Sequence, residues 1–225
     1  MHSIPHTSRK ETIMKNLVSC LVVALFSVIL SGCAVETPVG VSASYSVYSN
    51  YEDKIPGVYG LYVDASEMKK DVETRGFTCG PWYYPVDARD AFKQSVYRTF
   101  ENLVEELKGV DVPVFNNLRS QGLDGIIKID VVNFEADTSA RPDFLVTVRE
   151  SSAEITASIE VTGYEGVLLG SNVDGSGNDS ITGISCEGGS DTVGKSVETA
   201  MKKVIERLGE RLANSVKVRE AAPKN

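Results

Sequence analysis

Residues Leu17 to Leu30 read LVSCLVVALFSVIL, fourteen positions without a charge, behind Lys15 and, further back, Arg9 and Lys10. A basic flank followed by an apolar run of this length is the pattern of an export signal. As a helix it spans about 21 Å, short of the roughly 20 residues that cross a bilayer core. The run is therefore expected to be removed rather than retained as a membrane span. This sets where folding begins, because nothing before the processing point belongs to the folded part. Met14 opens a compact signal of its own, so residues 1–13 are expected to be an over-extended start.

Leu30-Ser31-Gly32-Cys33 follows the run directly, with two small residues between a leucine and a cysteine. This resembles the bacterial lipobox. The resemblance implies that the Cys33 thiolate takes a diacylglyceryl group, that small side chains at Ser31 and Gly32 admit a peptidase, and that the mature chain begins at lipidated Cys33. Several acyl chains, each contributing about 0.8 kcal/mol per buried CH₂, anchor far more firmly than one. Ala34, rather than Asp, follows the cysteine, and in such lipoproteins of two-membraned cells this implies delivery to the outer membrane. The competing reading makes Cys33 one small residue of an ordinary secretory cleavage region.

Only two histidines occur, His2 and His6, and both precede Cys33. The mature chain is thus expected to lack Ser-His-Asp and Cys-His catalysis, histidine zinc sites and a histidine pH switch. The formal charge of the whole chain is −8, and loss of residues 1–32 removes Arg9, Lys10 and Lys15 against one acid, Glu11. Such acidity disfavours nucleic acid as a partner. Cys79 and Cys186 are left as two cysteines in an exported, oxidising compartment and are expected to pair. A loop of about a hundred residues closed in this way restricts the unfolded chain by about 4–5 kcal/mol in the entropy model. Two buried free thiols are the alternative.

Residues 33–56 lack helical periodicity and read as a tether, about 75 Å long if fully extended and about 25–30 Å as a flexible coil. Tyr45, Tyr48 and Tyr51 recur every third residue, as an adhesive stripe or as a plain tether or strand edge packed on its own domain. A single domain is expected over 57–215, with a flexible tail at 216–225.

Gly57 to Asp64 reads as a strand, rich in aromatic and β-branched residues. The loop after it contains Cys79-Gly-Pro-Trp-Tyr-Tyr-Pro85, either a recognition surface or the cap of a small core. A helix is expected from Asp87, its N-cap candidate, with Ala88, Phe92, Val96, Phe100, Leu103 and Leu107 in one stripe and Gly109 ending it. A short helix at Phe115 to Gly122 leads into a strand from Leu123 to Phe134. Alternation through Phe144, Val146 and Val148 and through Ile155, Ala157, Ile159 and Val161 marks one-sided strand, and Gly166 to Val173 adds another. Val193, Val197, Ala200, Met201, Val204, Leu208 and Leu212 line the apolar face of the last helix. The order β-α-β-β-β-α predicts an α+β two-layer sandwich, mainly antiparallel, with two amphipathic helices on one face and the other face polar and open.

Phe115-Asn-Asn-Leu-Arg-Ser-Gln-Gly-Leu-Asp-Gly-Ile-Ile-Lys-Ile-Asp130 and the long closing helix resemble the N-terminal domain of the translocation protein TolB and the YajG-like and CsgG-like small lipoproteins, over roughly 57–215. That resemblance implies the same sandwich and an envelope setting.

The remaining chemistry is sparse. Asp174-Gly-Ser-Gly-Asn-Asp179 offers oxygen ligands on what reads as a turn, without EF-hand spacing. Gly188-Gly-Ser-Asp191 precedes a helix, as an anion cradle or as a simple N-cap by Ser190 or Asp191. Glu105 and Glu106 are adjacent and solvated. No catalytic, cofactor or metal site is expected. The expected function is a non-enzymatic, lipid-anchored module that assembles or stabilises an envelope complex through its sheet surface, with the membrane and an envelope protein as partners. A carrier or sensor of lipid or a small apolar ligand is the alternative. A hydrolase using Asp64, Asp87 or Asp130 is a third reading.

Overall fold

Alternation of apolar and small polar residues runs much further than the separate expected strands, and this builds the centre of the fold. The computed structural model describes residues 37–38, 44–76, 82–115, 118–183 and 188–221. Strands β1 (Ile55–Asp64), β2 (Lys69–Arg75) and β3 (Tyr83–Asp87) precede helix α1 (Arg89–Phe100), which is followed by β4 (Val104–Gly109). Three long strands come next, β5 (Gly125–Asp143), β6 (Val146–Gly163) and β7 (Gly166–Gly183), then helix α2 (Gly189–Ala213) and the short α3 (Val216–Ala221).

The seven strands form one mixed sheet. On one side β5 pairs along its length with β6, and β6 with β7, both antiparallel. On its other side β5 pairs in parallel with β1 over Gly125 to Asp130 and with β2 at Thr138 and Ser139. β4 lies parallel to the outer side of β1, and β3 antiparallel to β2. Both helices bury their apolar stripes in a single core with the sheet, through Phe92, Val96 and Phe100 of α1 and Val193, Val197, Val204 and Leu208 of α2. The α+β sandwich with two helices on one face is the observed class. β2, β3 and β4 are additions to the expected order.

β4 corrects the expected helix. α1 stops at Phe100, Asn102 donates from its side chain to Arg98 O at 3.1 Å, and Val104–Gly109 turns into the sheet beside β1. Leu103, Val104 and Leu107 all continue the helical spacing, but of the three only Val104 is fully buried. Asp87 is not the N-cap: Ala88 holds that place without a side-chain bond, and the Asp87 carboxylate pairs with Arg89. Where a helix was expected at Phe115 to Gly122, the described residues are 3₁₀ at Phe115 and at Arg119–Gln121. Val110, Phe115, Leu118 and Leu123 of this stretch cover Val58 and Ile126 on the side of the sheet away from the helices, so that side is open only beyond them.

Two glycines decide how closely α2 lies on the sheet. A Cβ on Gly177 would sit 2.0 Å from Ser196 O, and one on Gly175 would sit 2.5 Å from Ala200 O. At the start of α2, Ser151 Oγ lies 2.9 Å from both Thr138 Oγ1 and Thr192 Oγ1, and Thr192 donates to Gly189 O, a buried chain of hydroxyls that fixes the helix end to β5 and β6.

The expected tether is docked over its described part. Tyr45, Val47 and Ser49 turn inward and their neighbours outward. The Tyr45 amide donates to Thr99 Oγ1, Val47 packs on Gly209, and Asn214 accepts from the Asn50 amide at 2.7 Å and donates to Tyr48 O at 3.0 Å. Alternation with apolar inward residues makes this a strap along α2 rather than free chain. The expected flexible tail is likewise ordered over 216–221: Val218 is buried, and Arg219 stacks on Tyr51 at 4.0 Å and donates to Asp53 O.

Candidate interaction surface

Of the residues singled out by sequence, Cys33, Cys79 and Cys186 lie outside the described residues. The six positions from Asp174 to Asp179 are strand, not a turn. Asp174 faces away from the helices and accepts from Thr156 at 2.9 Å, whereas Asp179, five residues on, belongs to the opposite face. They cannot converge on one cation, and no cluster of three metal-ligating side chains occurs among the described residues. At Gly188 to Asp191, Gly188 is the N-cap without a side-chain bond, and neither Ser190 nor Asp191 caps the helix.

Of the three carboxylates considered for hydrolysis, Asp64 and Asp130 are register partners on β1 and β5, while Asp87 ends β3. Hydrogen bonds from Ser66 hold Asp64 below its ordinary range, and Arg89 does the same to Asp87. Both shifts run opposite to what a general acid at neutral pH requires. Asp130 is paired with Lys128 at 2.5 Å, and that bond raises the lysine. Tyr59, 1% exposed with its ring against Gly125, is pushed up to about 12, first by burial and then by Asp124. A raised phenol favours the folded state fully below pH 10, and that stability is lost as pH rises towards 12, at most about 2–3 kcal/mol. Tyr59→Phe is expected to flatten the fall in urea-melt stability over that interval; an unchanged fall would show that another group governs it.

What the geometry does present is surface. On the side away from the helices β5, β6 and β7 expose Lys128, Asp130, Glu135, Thr156, Ser158, Glu160, Asn172 and Ser176 in rows about 60 Å long. Glu135 stands directly opposite Glu154, an unfavourable like-charge pair that keeps this face acidic. β7 is an edge strand, paired on one side only. α2 shields its middle: Lys203 donates to Ser176 O at 2.7 Å and Arg207 to Asp174 O. Such capping blunts uncontrolled pairing and leaves the two ends of the edge open. Between the edge and the last turns of α2 lies a groove of about 640 Å³ lined by Leu169, Asn172, Val173, Arg207 and Glu210. Among the described residues no helix is long and apolar enough to cross a membrane.

One feature escaped the sequence reading. Phe144, read as part of a strand, is instead the first residue of the two-residue turn joining β5 to β6, with φ 51, and it is 97% exposed beside Leu145 at 76%. Pro142-Asp143 just before it is the turn signal that marks the spot.

No protein-family model matches the chain, and no curated protein matches it significantly. Among solved structures, protein XCC0632 from Xanthomonas campestris, described under the family model DUF330, is similar at 14% identity over 79% of this chain and 92% of that one, with a TM-score of 0.45. A Helicobacter pylori protein described as a homolog of neuraminyllactose-binding hemagglutinin shows 9% identity over 79% and 92%, also at 0.45. PelC from Paraburkholderia phytofirmans, a dodecamer, shows 10% identity over 80% and 94%, at 0.31.

Proposed function

We propose that this chain is an outer-membrane lipoprotein, anchored through acylated Cys33, whose domain acts as a non-enzymatic assembly module of the cell envelope. Leu30-Ser31-Gly32-Cys33 at the end of an uncharged run carries this reading. The sequence resemblance of Phe115 to Asp130 to TolB-type domains implies the same setting. Support from the fold is chemical: Asp64 and Asp87 are held in their charged forms by Ser66 and Arg89, and the exposed features are a long polar face and a partly shielded edge. Edge strands recruit partner strands, and polar sheet faces pack against wet interfaces. A carrier of an apolar ligand needs apolar space between helices and sheet, whereas at Gly175 and Gly177 the backbone of α2 rests directly on β7, and the groove beside its last turns is lined largely by polar side chains.

The test is photo-crosslinking in intact cells, with the reactive side chain at Asn172 on the outer face or, as control, at Thr199 on the exposed side of α2. Adducts to another envelope protein from Asn172, several-fold above Thr199, are expected. No protein adduct at Asn172 would overturn the assembly role.

A further inference from the structure

We propose that Phe144 and Leu145, at the tip of the β5–β6 hairpin, insert into the same leaflet that holds the lipid on Cys33, giving the domain a second membrane contact. The inference rests on the anchor reading and adds an orientation to it.

Three observations carry it. The tip breaks two local rules at once. Two-residue hairpin turns favour Asn-Gly or Asp-Gly because their first residue takes positive φ. Here that place is held by Phe144 at φ 51, and the apolar pair is almost wholly exposed. The neighbouring β6–β7 turn, Tyr164-Glu165 between Gly163 and Gly166, puts its positive φ of 114 on a glycine, and its one large apolar residue, Tyr164, is only half exposed. Local rules broken at an exposed site point to function rather than folding.

The second observation is position. Ile181 and Arg149, a cross-strand pair, flank Gly188 at the start of α2, and the tip lies a further four to five residues outward along β5 and β6, about 13–17 Å. The strap enters near that same end. Thr37 donates to Pro85 O at 3.4 Å and Pro38 O abuts Gly194, and from Ser44 the described chain passes Thr99 of α1, then Gly209 and Asn214. Cys33 precedes Thr37 by four residues, a reach of at most about 14 Å. Thr37, the described residue nearest the anchor in sequence, and the apolar tip therefore both lie towards the end of the domain at which α2 starts. Tyr164 marks the other, bonded to Leu123 O beneath Arg119.

Charge selects the surface. Asp143 adjoins the tip and Arg141 is paired with Glu150 at 2.9 Å, so the described residues beside the tip offer no basic cluster to anionic headgroups. The fit is to a zwitterionic phospholipid surface, entered by apolar side chains alone.

The test uses the full acylated chain in vesicles of phosphatidylethanolamine and phosphatidylcholine, with acyl chains brominated or not. F144W is compared with Y164W, and the signal of the native Trp82 is subtracted. Brominated lipid is expected to quench F144W at least about twofold more than Y164W, with a blue shift for F144W only. L145W serves as the second probe if F144W folds poorly. The F144N/L145G variant, with favoured turn chemistry, is expected to melt at a higher temperature; a lower one would assign the apolar pair to folding and overturn the inference. Equal quenching of F144W and Y164W in protein that floats with vesicles would overturn the tip contact alone. Protein that does not float would remove the anchor reading and the inference with it. A blue shift that persists in detergent and grows with protein concentration would assign the tip to a second copy of the chain, again overturning it.

Discussion

Gly177→Val is expected to leave little folded protein, whereas Gly170→Val in the same strand is expected to be tolerated. Strand propensity argues the other way at both sites, since valine is favoured in strands and glycine is not. Packing decides. A Cβ at position 177 would meet Ser196 O at 2.0 Å and Ala200 N at 2.8 Å, atoms of helix backbone that cannot rotate aside, while at Gly170 nothing lies within 4 Å. Overpacking among mobile side chains costs about 1–3 kcal/mol. Here the whole of α2 must lift, and Val193, Val197, Met201 and Val204, each fully or almost fully buried, come away from the sheet with it. At about 1.5–3 kcal/mol for each such side chain, exposing even three rivals the 5–15 kcal/mol that holds a typical domain together. Far-UV circular dichroism with urea melts measures the effect, and an unchanged midpoint for G177V would show that α2 does not rest on β7 as described.

This contact explains which parts of the fold were legible in the sequence. β1, the first half of β5, and β6 announce themselves because period-two alternation places Ile127, Ile129, Ile155, Ile159 and Val161 on one face. The second half of β7 alternates too, but its inward positions are Gly175 and Gly177, and a stretch with glycine inside and Asp, Ser and Asn outside reads as loop. The close approach of α2 demands the glycine, so the tightest packing in the domain erases its own signal. β4 fails for a different reason: as an edge strand it has one neighbour and buries a single residue completely, Val104, leaving Leu103 and Leu107 to mimic a helical stripe. The strap at 44–54 was hidden because half-buried Tyr45 and Val47 among serines look like any polar linker. For the candidate surface, the open polar face was readable from the alternation of β6, but the exposure of Phe144 was not. Its side chain continues the apolar alternation, and only the pairing of Asp143 with Val146 turns it out into solvent.

Cys33→Ser is expected to abolish incorporation of labelled palmitate and to leave a precursor that migrates above the mature form. The nucleophile that takes a diacylglyceryl group is a thiolate, whose sulfur bonds to the glyceryl carbon as that carbon's leaving group departs, and a serine hydroxyl, far less ionised at neutral pH, does not replace it. Because lipid addition comes before cleavage, losing the first step blocks the second. Membrane pelleting by itself does not read this out, since the uncleaved run from Leu17 to Leu30 stays on the chain and is itself apolar. The label and the mass of the N-terminal peptide do. In the unsubstituted protein that peptide should begin at Cys33 and carry its acyl groups. The tip cannot stand in for them: Phe144 and Leu145 together contribute at most about 3–6 kcal/mol on full burial, and even a single myristoyl chain gives only marginal, reversible binding. Palmitate uptake by C33S at the level of the unsubstituted protein would place the lipid on some other side chain, and lying at the same end as Thr37 would then no longer tie Phe144 to the anchored leaflet.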